Sequence, residues 1–421
     1  MHPEMDLENE TRIRAISAGR REEAAAIFAA QGLPTRTWEE YKYCDLSKHL
    51  DWSAEPIADA AQPEEFKSII DHWLSNWGLT GAPVILLADG KPISLPHNLP
   101  DGLTITWISE GAEPSALGTL AAPNTDPMIA RNAAEWSSGV HLRLGKGKKI
   151  EAPLVLLHVH RSPQPLRADV RFLIEVEPSA SLTLVEAYTG VAGCGRSQLN
   201  VVGETFVAEG ARFTHLRIQD DGAEAQQVNT CITSQQANSQ SWQFTFTIGG
   251  SLVRNNTQVQ LEGQHGEAHL LGLYLGNHRQ LIDNHTLVDH RVPNCNSNEL
   301  YKGALQGKAT AVFNGKIYVR RDAQKTNAFQ SNRNILLSTG ATVNTKPQLE
   351  IYADDVKCSH GTSTGQLDPS SLFYLRSRGI GLEASRKLLL QAFLDEVVQQ
   401  LTPEAVQEAI RERVLSWLQQ A

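Results

Sequence analysis

The stretch "FTIGGSLVRNNTQVQLEG", Phe246 to Gly263, decides how the middle of the chain is read. Apolar and polar residues alternate on both sides of a small-residue corner, "GGS", so the stretch reads as strand, corner, strand. The same period of two runs from Val140 to about Gly365, through "VHLRL", "PLVLLHVH", "VRFLIEV", "SLTLVEAY", "ARFTHLRIQ", "EAHLLGLYL", "AVFNGKIYV" and "QLEIYA". No long amphipathic helix interrupts it, which excludes alternating strand–helix units. Two architectures hold that many strands: a large sandwich, or a β-solenoid whose coils close through short corners. The paired strand–corner–strand segments favour the solenoid. Asn229, Asn255, Asn256, Asn284, Asn314, Asn334 and Asn344 recur near expected corners, where stacked amides would form ladders. No strict repeat length is readable.

Outward from this core the period becomes helical. "ETRIRAISAGRREEAAAIFAAQG" places Ile13, Ile16, Ala24, Ile27 and Phe28 on one face and stops at Gly32. "PEEFKSIIDHWLSNWG" does the same with Phe66, Ile69, Ile70, Trp73 and Trp77. After Gly365, Asp368 and Pro369 predict a capped helix over "PSSLFYLRSRG", followed by two more helices in "LEASRKLLLQAFLDEVVQQL" and "PEAVQEAIRERVLSWLQQ". The expected order is an N-terminal helical domain with a transitional segment (1–138), an all-β core (139–366) and a C-terminal helical domain (367–421).

The net charge of −9 over 421 residues argues against nucleic acid, which needs a basic face. No apolar run is long enough to span a membrane, and the polar N-terminus lacks the apolar stretch of a secretory signal. The five cysteines (Cys44, Cys194, Cys231, Cys295 and Cys358) form no C-x-x-C and no disulfide framework, so a reducing, cytoplasmic compartment is expected.

Four signals bear on chemistry. "GVAGCGRS" sets Gly190, Gly195, Arg196 and Ser197 at phosphate-loop spacing with Arg in place of Lys. The residues that follow read as strand, so the loop lacks the helix N-terminus that holds phosphates. The pairs His158/His160, His265/His269 and His285/His290 have suggestive spacing but no cysteines at ligand distance, and read as strand-face or loop residues. Asp354 and Asp355 open a reading as a β-helix carbohydrate-active enzyme. Neighbouring strand residues face opposite sides, however, and "ADDV" reads equally well as a solvated corner. Cys358 and His360 lie two apart on the last strand, on one face, about 6–7 Å apart along it. A thiolate and an imidazole so placed can share a soft or borderline metal, although two ligands leave its coordination incomplete. The plain alternative is a buried Cys beside a chance His.

The words around that pair carry a resemblance. "TKPQLEIYADDVKCSHGTSTGQLDPSSLFYLRSRGI" (Thr345–Ile380), "GLPTRTWEEYKYCDL" (Gly32–Leu46, with Tyr41 where the family has Trp) and "VFNGKIYV" (Val312–Val319) resemble blocks of the SufB/SufD family of SUF iron–sulfur cluster assembly scaffolds. The C-terminal block resembles its SufD branch. The resemblance implies a right-handed parallel β-helix flanked by helical domains. It also implies a non-catalytic subunit that works with a SufB-like paralogue and a SufC-like ABC ATPase, in the ratio one SufB, one SufD, two SufC. Cys358 and His360 would then contribute to a nascent, transient iron–sulfur cluster at the interface of the paired β-helices, the remaining ligands coming from the paralogue. No nucleotide is expected on this chain, and the isolated chain is free to form a homodimer. The ATPase would dock on the C-terminal helices through Leu372, Phe373, Tyr374, Arg376, Arg378, Leu389 and Phe393. Deleting these helices is expected to leave the β-helix folded. A third reading is a purely structural partner that holds no ligand.

Overall fold

The computed structural model describes residues 19–50, 62–109 and 112–419, so Ile13 and Ile16 of the first expected helix lie outside the described residues. Strand makes up 43% and helix 23%, which places the protein in the mainly-β class. From Ser138–Leu144 onward consecutive strands fall alternately in two sheets, and each pairs in parallel with the strand after next. That topology is a β-solenoid of about eight coils, not a sandwich. The first coil is closed by antiparallel strands, Lys91–Ser94 against Val84–Ala88 and Leu103–Ile108 against Ser138–Leu144. The last coil ends with strands Thr342–Ile351 and Lys357–Gly365 at the free edges of their sheets.

A backbone device repeats where no sequence period does. Gly147, Ser179, Gly210, Asn238, His265, Asn294 and Lys325 occupy successive corners with φ between 57° and 69°. In five of them the N–H donates to the carbonyl just before the counterpart in the next coil, as Gly210 does to Ala237 and Asn294 to Gln324 (both 2.9 Å). Left-handed backbone favours Gly and Asn, yet Ser, His and Lys also hold this corner here. Stacked partners lie 26 to 32 residues apart, so neither residue type nor spacing announces the repeat. An amide ladder exists for three of the seven asparagines, with Asn229 bonded to Asn255 (3.4 Å) and Asn255 to Asn284 (3.1 Å), whereas Asn256 bonds Thr230 and Asn314 bonds Glu40. The ladder runs at mid-strand inside the solenoid rather than at a corner, where parallel register sets Asn229, Asn255 and Asn284 one above another.

Both faces of most strands are buried, which explains their near-continuous apolar runs. One sheet's outer face (Leu157, Val185, Leu216, Phe244, Phe246, Leu271 and Leu273) is covered by Trp73 and Trp77 of helix Lys67–Asn76. The C-terminal helices Leu382–Val398 and Glu404–Gln419 cover it too, through Leu390, Leu394, Val397, Ile410, Val414 and Trp417. The C-terminal helices are therefore part of the main core, and the expectation that they can be deleted cleanly is corrected. Removing them would expose a large apolar surface.

The other sheet is covered by the segment around Gly32–Leu46 and by helix Pro127–Glu135, which starts from an Asp126 cap and Pro127 and which periodicity alone did not reveal. Tyr41 is buried over the Arg254 guanidinium (3.9 Å) and donates to Asp126 Oδ2 (2.7 Å). Glu40 accepts from Asn314 (3.2 Å) and lies 3.5 Å from His285, while Glu39 pairs with Lys346. Residues from all three resembling blocks thus meet on one face.

Candidate functional site

Strand Lys357–Gly365 carries the candidate pair. Cys358 stacks in register on Ala328 and His360 on Gln330, both buried, whereas Ser359 stacks on the exposed Phe329. Cys358 and His360 therefore share the inward-facing line of the final coil, and they are accessible because no further coil covers them. Cys358 is half-buried against Leu349, Val356 and Ala353, and burial pushes its thiol pKa up. Among the described residues no three His, Cys, Asp or Glu side chains are arranged to hold a metal ion. Phe329, Ile351 and Tyr352 add exposed apolar surface around this open end.

The inward-facing line below the pair is polar along much of its length. Glu186, fully buried, receives Arg217 Nε (2.9 Å), His215 Nε2 (2.8 Å) and the Tyr188 hydroxyl. Burial alone would raise its pKa, but the Arg217 charge and the His215 hydrogen bond override that and hold it well below the carboxylate range. Nearer the open end, Glu299 accepts from Thr286 Oγ1 (2.6 Å) and Gln330 Nε2 (3.2 Å) without a cationic partner among the described residues, and burial pushes its pKa up to about 7. Sequence reading missed both groups, because they become neighbours only through stacking one coil apart.

Glu299 gives a pH signature. Its folded pKa is raised, so the native state holds a proton that the unfolded chain releases between about pH 4.5 and 7. The associated stability is full below that window and is lost as pH rises through it. Glu299→Gln keeps the shape and removes the titration. Relative to wild type it should gain roughly 2–3 kcal/mol between pH 4.5 and pH 8. Denaturant melts of both proteins at the two pH values test this, and parallel pH profiles would refute it.

The histidine pairs separate or, among the described residues, lack hydrogen-bond partners. His265 is a left-handed corner residue and His269 stacks on Trp242 (4.8 Å). His285 bonds Asp283 (2.9 Å) on the outer face, while His290 bonds Ser297 Oγ (2.9 Å) inside. His158 and His160 do share the inward face; burial lowers the pKa of both, that of His158 to about 4. Asp354 and Asp355 sit exposed in the last corner. "GVAGCGRS" is a corner leading into strand Ser197–Val207.

Of the expected docking residues, Phe373, Tyr374, Arg376 and Arg378 are exposed, and Leu382 and Leu388 of the following helix are exposed as well. Leu372 instead lines a cavity of about 360 Å³ with Leu337, Leu367 and Leu390. Leu389 is half-buried, and Phe393 is occupied internally. Its carbonyl accepts from buried Lys302 Nζ (2.6 Å), which also lies 4.3 Å over its ring. No helix of the described residues is long and apolar enough to cross a membrane.

With this geometry in place, three relatives are informative. The family described as SUF system FeS cluster assembly, SufBD core domain, matches residues 161–393. The chain is 30% identical to the iron–sulfur cluster assembly SufBD family protein slr0076 of Synechocystis, over 95% of this chain and 91% of that protein. It is 28% identical to the iron–sulfur cluster assembly protein SufD of Escherichia coli, over 91% and 89%. It is 29% identical to the chloroplastic protein ABCI7 of Arabidopsis thaliana, over 94% and 84%.

Proposed function

The chain belongs to the SufBD family of iron–sulfur cluster assembly proteins and is of the SufD type, and from that membership we propose that it is a non-catalytic scaffold subunit. In this reading it pairs its open solenoid end with a SufB-like paralogue and binds a SufC-like ATPase through its C-terminal helices. Cys358 and His360 then supply part of the ligand set for a nascent cluster, which is the system's product rather than a resident cofactor. The observation that carries the reading is the open end itself. Two unpaired strand edges, exposed inward-facing side chains and an apolar rim occur together there, and a matching chain can extend both sheets. Two ligands from one chain are too few, so a second chain completes the site.

Co-expression with the paralogue and the ATPase tests it. A stable complex should form, hydrolyse ATP only when the ATPase is present, and build an oxygen-labile cluster from ferrous iron and sulfide. Since the C-terminal helices cannot be removed without exposing core, the ATPase contact is tested by Phe373→Asp with Tyr374→Asp. This double variant should lose the ATPase, at least about tenfold in affinity for two exposed aromatic anchors, and keep the paralogue. Failure of the wild-type chain to bind the paralogue would overturn the reading.

A further inference from the structure

Register stacks Glu299, Gln330 and His360 on the inward face in three successive coils. Gln330 is buried, and its Nε2 donates to Glu299 (3.2 Å), which Thr286 holds in turn (2.6 Å). The amide lies across Gly315 of "VFNGKIYV": a Cβ there would fall 2.2 Å from Gln330 Nε2, so the absent side chain makes room for it. The other end of the amide, Gln330 Oε1, is buried and has no hydrogen-bond partner among the described residues. Leaving a buried carbonyl oxygen unpaired is costly. The residue stacked on Gln330 in the last coil is His360, and adjacent strands lie about 4.8 Å apart, within reach of a turn of the imidazole.

We propose that Gln330 is the positioning residue for His360: its Oε1 accepts one ring N–H, Glu299 and Gly315 hold the amide in place, and the second ring nitrogen is left with its lone pair facing the open end. A histidine that ligates a metal needs this division of labour, because the hydrogen bond at one nitrogen selects which nitrogen is free to bind. The inference rests on the reading of His360 as a ligand, and it gives a physical role to Gln330 and Glu299 within one stack and to Gly315 on the other sheet.

Its test uses the full-length chain labelled with ¹⁵N-histidine, the His360 signals being those lost in His360→Ala. Wild type should show one dominant neutral tautomer. Gln330→Leu, of similar bulk but without an acceptor, should show a mixture. Gly315→Ala, which displaces the amide, should act like Gln330→Leu and serves as the second variant if that one misfolds. In the assembled complex Gln330→Leu should slow cluster formation about tenfold or more. An unchanged His360 tautomer in both Gln330→Leu and Gly315→Ala would overturn the proposal even if His360→Ala abolishes cluster formation. If His360→Ala instead leaves cluster formation intact while the tautomer shifts as expected, the ligand reading fails and the hydrogen bond stands.

Discussion

Arg217→Met should destabilise the protein by about 3–5 kcal/mol, because it strands Glu186 as a buried carboxylate without its cation. Both side chains are almost wholly enclosed, so water cannot take the place of the guanidinium. Such a loss is a large share of the roughly 5–15 kcal/mol that holds a typical domain folded. The pH dependence has a definite sign. In wild type the depressed Glu186 pKa contributes stability that is present above the ordinary carboxylate range and lost as pH falls through the folded value. In the variant the carboxylate must ionise without Arg217, so the deficit should grow as pH rises from 5 to 8. Replacing both partners, Glu186→Gln with Arg217→Met, should cost less than Arg217→Met alone, since no charge is then left buried. Urea melts at two pH values would settle it, and a loss below about 1 kcal/mol would show that the cluster relaxes or hydrates.

His360→Ala should leave folding and subunit assembly intact and reduce cluster formation in the anaerobically reconstituted complex to roughly a tenth or less, since losing a ligand costs at least as much as losing its outer support. The side chain is exposed in the last coil, so its removal opens no cavity. Cys358→Ala should act in the same direction, more weakly if the half-buried thiol serves mainly in packing or sulfur handling. Its removal leaves little space, so a stability loss above about 2 kcal/mol would mark it as a packing residue against Leu349 and Val356. If both variants, folded and assembled, make clusters at the wild-type rate, the pair is not the ligand set.

Local patterning carries the large divisions of this protein in the sequence alone. Alternation in segments such as Phe246–Gly263 specifies strands, and the absence of helices between them excludes the strand–helix folds. The 3.6-residue period in Lys67–Asn76 and Leu382–Val398 specifies helices, because each depends on neighbours within a few residues. The same-face placement of Cys358 and His360 is equally local, being a consequence of the strand period. Stacking is not local. The left-handed corner is filled by Gly, Ser, Asn, His or Lys at spacings of 27 to 32 residues, so its recurrence is visible only in space. For the same reason tertiary structure alone joins Glu186 to Arg217 and His215, sets Gln330 beneath His360, and lays the helices after Gly381 over the sheet as core. Register between coils is chosen by the joint packing of every strand in both sheets, and no single strand's sequence contains it.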